Sequence, residues 1–87
     1  MNARELVAWN LRRLRVAKNF SQEHLANSAG VDRTYLSRLE RKQENPSVGI
    51  LEKVSEALGV HIADLFVPPE PGELEPAPLK AGRRPSR

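Results

Sequence analysis

Apolar residues recur at helical spacing along most of the chain, and nowhere do they alternate with polar ones as a half-buried strand requires. Val7, Leu11 and Leu14, four and three residues apart, form one stripe and predict a first helix over residues 3–18. Ser21 is placed to cap a second helix over 22–29, because its hydroxyl can accept from an orphan amide of the first turn. Gly30 breaks the pattern, and Asp32 caps a third helix that runs to about Arg41. After "ENPS", with Ser47 as the next cap, Ile50, Leu51, Val54 and Leu58 share one face of a fourth helix over 48–58 that Gly59 ends. "HIADLF" reads as a last short helix, stopped by Pro68 and Pro69. The expectation is an all-α domain of five short helices.

Proline usage divides the chain. Residues 1–67 contain one proline and 68–87 contain six, which predicts one small domain at 1–67 followed by a flexible, charged tail. A core of this size is only marginally stable alone, which favours a second copy as partner. Zero cysteines exclude a disulfide framework and a Cys-based zinc site, in keeping with a reducing cytoplasm. "MNARELVAWNLRRLRV" is too charged for a signal peptide or a membrane span, so a soluble cytoplasmic protein is expected.

The net charge of +3 does not by itself identify a partner. Its distribution says more: Arg12, Arg13, Arg15 and Lys18 fall in the first helix, and Arg33, Arg38, Arg41 and Lys42 in or just after the third. Such clusters also occur as plain solvated faces. His24 and His61 have no metal-ligand or catalytic partner spacing, so an enzyme, a metal site and a cofactor are not expected. Trp9, off the main stripe, reads as a half-buried packing residue.

The segment "QEHLANSAGVDRTYLSRLE" joins two helices through one glycine. Steeply crossing helices need a small side chain where their backbones approach, which Ala26 supplies, and a residue tolerant of φ > 0 in the turn, which Gly30 supplies. Leu25, Val31, Leu36 and Leu39 would fix the crossing from inside. A structural helix hairpin satisfies the same spacing.

The wider pattern "LRRLR...SQEHLA..AGVDRTYLSRLE....PS...L.KVSEALGV...DLF" resembles the phage-repressor family of helix-turn-helix proteins (Cro/cI-type, or XRE), over residues 7–66. That resemblance implies that the second helix crosses a DNA backbone and the third enters the major groove. Arg33, Thr34, Ser37 and Arg38 are then the base-reading positions, the arginines as guanidinium forks to guanine and Thr34 through its methyl. Ser21 and Gln22, at an exposed helix start, and Tyr35, Lys42, Asn45 and Ser47, flanking the third helix, become backbone contacts. Tyr35 reads equally as a half-buried aromatic. Arg15 and Glu40 occupy the positions of a partly buried structural ion pair. Two positions depart from the family pattern: His24 replaces a glutamate that would complete a capping box, and Lys42 replaces a glycine.

The expected function is a sequence-specific transcriptional regulator of double-stranded DNA, a dimeric repressor or autoregulator without a cofactor. Its dimer interface is expected at Ile62, Leu65, Phe66 and Val67. The alternative is an antitoxin or adaptor module that binds another protein through residues 68–87. For that tail the readings are a solvated segment, a basic arm in "GRRPSR", or an anchor through Leu74 and Leu79.

Overall fold

The structure, a computed structural model, describes residues 1–74. Glu75, Leu79, Lys80, Arg83, Arg84 and Arg87, which enter the readings of the tail, lie outside the described residues. Among the described residues there are four α-helices, α1 (Ala3–Ala17), α2 (Gln22–Ala29), α3 (Arg33–Glu40) and α4 (Val48–Leu58), then a 3-10 helix (Ile62–Phe66) and no strand. No helix among them is long and apolar enough to cross a membrane.

Each α-helix starts on a side chain that accepts the orphan amide three residues on: Asn2 from Glu5 (2.8 Å), Ser21 from His24 (2.9 Å), Asp32 from Tyr35 (3.2 Å) and Ser47 from Ile50 (3.1 Å). Asn2 and Glu5 complete a capping box, since the Asn2 amide donates to Glu5 Oε1 at 3.0 Å. Each helix also ends on a left-handed residue: Asn19, Gly30, Lys42 and Gly59, with φ of 60°, 73°, 67° and 73°. After all four the full Schellman pattern is present. Phe20 donates to the Arg15 carbonyl and Gln43 to the Arg38 carbonyl, at 3.0 and 2.9 Å.

The fifth element corrects the expected five-helix count, being a 3-10 turn rather than an α-helix. Only five residues separate its cap, His61, from Val67, and the Pro68–Pro69 pair disfavours α geometry just before it. A segment this short cannot complete enough i→i+4 bonds to offset nucleation, whereas the tighter i→i+3 pattern suits short pieces. His61 is more than a surface histidine here. Its Nδ1 accepts from the Ala63 amide at 3.1 Å while its own amide donates to Asp64 Oδ2 at 3.1 Å.

The core is one cluster drawn from every element: Val7 and Leu11; Leu25, Ala26 and Ala29; Leu36 and Leu39; Leu51, Val54 and Leu58; and Leu65. Truncating a leucine fully buried in it, such as Leu36, removes about 2–5 kcal/mol. Trp9 is buried, not half-buried as its place off the stripe suggests, and its indole Nε1 finds no acceptor among the described residues.

A polar clamp fastens the chain end to α1. Asn10, fully buried, places Nδ2 within 3.1 Å of the Leu65 carbonyl, 2.8 Å of Val67 and 3.0 Å of Leu6. Two amide hydrogens serve three acceptors, so one bond is shared. Asn10 Oδ1 in turn accepts from Arg13 Nη2 at 2.9 Å. The clamp satisfies carbonyls that the short 3-10 helix leaves without backbone donors.

Candidate nucleic-acid interface

Two short helices and the turn between them form the scaffold of the site. Val31 donates to the Ala26 carbonyl at 3.0 Å across Gly30, whose left-handed backbone lets the chain turn from α2 into α3. No atom beyond its adjoining residues lies within 4 Å of a Cβ built on Gly30. The glycine is required by its backbone conformation, not by crowding. Leu25 and Ala26 of α2 and Leu36 and Leu39 of α3 are buried together and hold the crossing.

That burial decides which side of α3 faces out. At 100° per residue, Arg33, Thr34, Ser37 and Arg38 fall within an arc of roughly 140°, opposite Leu36 and Leu39. Arg33 and Thr34 are exposed, and Ser37 and Arg38 are half-exposed. The structure thus brings the four expected readout residues onto one face. Arg38 is not a free fork, however: its Nε donates to Glu44 Oε2 at 2.7 Å. Glu44 has no place among the sequence-derived candidates. The available signal was an acid two residues beyond the basic run Arg41–Lys42.

Below that face, Arg15 and Glu40 are 3% and 6% exposed. Arg15 Nε and Nη2 donate to Glu40 Oε2 and Oε1 at 2.6 and 3.0 Å, and Nη1 donates to the Phe20 carbonyl at 2.7 Å. Gln22 Nε2 adds a third donor to the carboxylate, to Glu40 Oε1 at 3.1 Å. Arg12 Nε stands 4.0 Å from the same oxygen. This carboxylate therefore ties α1, the first residue of α2 and the last residue of α3 together. Gln22, expected at a phosphate, has part of its amide committed inward, and the second hydrogen of that amide remains to donate outward.

The remaining backbone-contact candidates are distributed around α3. Ser21 and Ser47 are exposed caps whose hydroxyl oxygens already accept, which leaves each O–H able to donate. Lys42 is exposed at the left-handed turn after α3. Asn45 is exposed but sits on the rim of a shallow groove of about 150 Å³ with Ala3, Arg4, Val7, Pro46, Leu51 and Phe66. It therefore borders the α1 side of the molecule as well. Tyr35 is half-buried against the core. Burial raises its ionisation above the usual tyrosine value of 10.0, and the Glu44 carboxylate adds to this while the Arg38 guanidinium partly opposes it. The phenol keeps its proton at neutral pH and can donate to an anion.

The expected interface residues divide between two sides of the chain end. In a 3-10 helix residues three apart eclipse, so Ile62 and Leu65 share one face. That face is turned into the core: Leu65 is 0% exposed and Ile62 packs against the cluster. Leu65 is corrected from an interface residue to a core residue. Phe66 and Val67, 41% and 45% exposed, are the apolar groups left at the surface.

Residues 11–65 match the family model HTH_3, Helix-turn-helix. A hypothetical transcription factor of Neisseria meningitidis serogroup B is 46% identical over 67 residues, which cover 77% of this chain and 63% of that protein. This chain thus spans less than two thirds of that relative's length. A crystal structure of the hypothetical transcription factor NHTF from Neisseria superimposes with a TM-score of 0.75 at 46% identity, covering 78% of each chain. The restriction-modification controller protein C.AhdI from Aeromonas hydrophila gives 0.71 at 40% identity, over 72% of this chain and 96% of that one.

Proposed function

Since the chain belongs to the HTH_3 helix-turn-helix family, we propose that it is a DNA-binding transcriptional regulator that reads the major groove with α3. The observation that carries the reading is the α3 face itself. Two arginines, a threonine and a serine project from a helix whose opposite side is locked into the core and whose end is fixed by the Arg15–Glu40 pair. A readout helix must be held rigidly, because bidentate contacts tolerate little misalignment.

Arg33 and Arg38 meet guanine edges and Thr34 a thymine methyl. Ser21, Gln22, Tyr35, Lys42 and Ser47 donate to phosphates and set register. Two copies bind paired half-sites about one helical turn apart. They associate through Phe66 and Val67, the exposed apolar residues of the chain end. Likeness to a restriction-modification controller supports a regulator of its own or neighbouring genes. The protein-binding alternative depends on residues 68–87, most of which lie outside the described residues, and the relatives favour the regulator.

The test is a footprint on DNA upstream of the protein's own gene, backed by selection from random-sequence duplexes. Paired protections one turn apart support the reading. Equal affinity for selected and scrambled duplexes at near-physiological salt overturns it. Sedimentation tests the dimer: a wild-type protein that stays monomeric at high concentration removes that part.

A further inference from the structure

Glu44 lies six positions beyond Arg38, and on a continuing helix the two side chains would point about 120° apart. They meet because α3 stops. The left-handed turn at Lys42 reverses the chain, and Gln43 donates back to the Arg38 carbonyl at 2.9 Å. Glu44 is thereby returned to the flank of α3, where its Oε2 accepts from Arg38 Nε at 2.7 Å. The pair is not a buried structural bridge, since its side chains are 42% and 27% exposed. A partly exposed pair contributes little to stability, so its consequence lies in the geometry it imposes on Arg38.

A guanidinium can meet guanine O6 and N7 side-on, through Nε and one terminal nitrogen, or end-on, through both terminal nitrogens. With Nε–H held by Glu44 the side-on approach is occupied, and the plane of the guanidinium is set by the carboxylate. Both terminal nitrogens remain for a base edge. Tyr35 belongs to the same cluster, since its ionisation responds to both Glu44 and Arg38.

We propose that Glu44 is a specificity-determining positioning residue, which holds Arg38 for end-on reading of one guanine. The proposal rests on the reading of α3 as the base-contacting helix. It carries a second consequence. A carboxylate beside a DNA-facing helix repels phosphates on every sequence, so Glu44 lowers general affinity while sharpening discrimination.

The experiment measures binding of the full chain, by fluorescence anisotropy, to a duplex selected from random sequence and to its scrambled counterpart. Wild type, Glu44→Ala, Glu44→Gln, Arg38→Ala and Arg38→Ala/Glu44→Ala are compared, with circular dichroism to verify the fold of each. For Glu44→Ala, affinity for scrambled DNA should rise while the selected-to-scrambled ratio falls about tenfold, within the range of one bidentate base contact. The loss should be confined to a single base pair and absent in the Arg38→Ala background. Glu44→Gln keeps an acceptor oxygen without the charge, so it should recover most of the ratio and retain the raised general affinity. An unchanged ratio in Glu44→Ala, or an equal loss when Arg38 is already alanine, overturns the positioning role and leaves the DNA reading intact. A wild type that does not discriminate at all overturns the DNA reading and this proposal with it.

Discussion

Replacing Glu40 by alanine deletes the acceptor of Arg15 Nε and Nη2 and of Gln22 Nε2 at once. Arg15, 3% exposed, would keep one acceptor, the Phe20 carbonyl at 2.7 Å. Stranding one partner of a buried pair costs about 3–5 kcal/mol. A domain of the 74 described residues holds about 4–11 kcal/mol in all. The variant therefore loses a large share of its stability, and its thermal midpoint should fall by at least about 12 °C. Urea unfolding followed by far-ultraviolet circular dichroism measures the loss. The companion Arg15→Met/Glu40→Leu removes both charges and should stay within about 1 kcal/mol of wild type. Water reaches the half-buried Phe20 and Gln22 that the double variant leaves without partners. A cost below about 1 kcal/mol for Glu40→Ala would refute the reasoning. A double variant as unstable as the single one would show that the hydrogen-bond network matters, and not the stranded charge.

Further outcomes follow from other sites. Gly49 lies in the first turn of α4, and a Cβ there meets only Ser47 Oγ at 3.7 Å; Gly49→Ala should add about 0.5–1 kcal/mol to urea stability, and a loss would count against it. Lys42→Gly relieves a left-handed backbone and should stabilise by about 1 kcal/mol, while lowering the slope of log affinity against log salt by about one if Lys42 touches a phosphate; a destabilised variant would refute the strain. Tyr35 is the only tyrosine, so phenolate absorbance titrates it directly, and the midpoint should lie above 10.0. With the folded value raised, the protonated phenol contributes stability present below pH 10 and lost as pH rises through the folded value; an absorbance midpoint at or below 10 would overturn the assignment. Asn10→Ala opens a clamp to carbonyls 55 and 57 positions away, the kind of distant contact that forms late in folding. It should chiefly speed unfolding in stopped-flow chevrons, and a slowed folding arm would place the clamp in the folding nucleus instead.

Where a helix boundary is set by residues adjacent in sequence, it could be read directly. Ser21 with Gly30 and Ser47 with Gly59 bracket α2 and α4, and the expected bounds coincide with the observed ones because cap and stop chemistry are local. The outward face of α3 was legible for the same reason, since helical period separates Arg33, Thr34, Ser37 and Arg38 from Leu36 and Leu39, whereas the expectation that this face reads bases came from the family resemblance. The chain end was misread because its period is three rather than 3.6 residues, which sends Leu65 inward and leaves Phe66 out. Asn10 was invisible because its partners are carbonyls far along the chain. Glu44 was missed because only the left-handed turn at Lys42 brings it back to Arg38.

That turn also bears on how the protein can change over generations. Glycine would suit the backbone of residue 42 better than lysine, yet no single nucleotide change converts a lysine codon into a glycine codon. The intermediates encode arginine, which keeps the charge and the left-handed strain, or glutamate, which keeps the strain and places an acid beside Glu44. Neither step brings the benefit of the last. The relaxed turn is therefore within easy reach of deliberate substitution and poorly accessible to stepwise selection for stability.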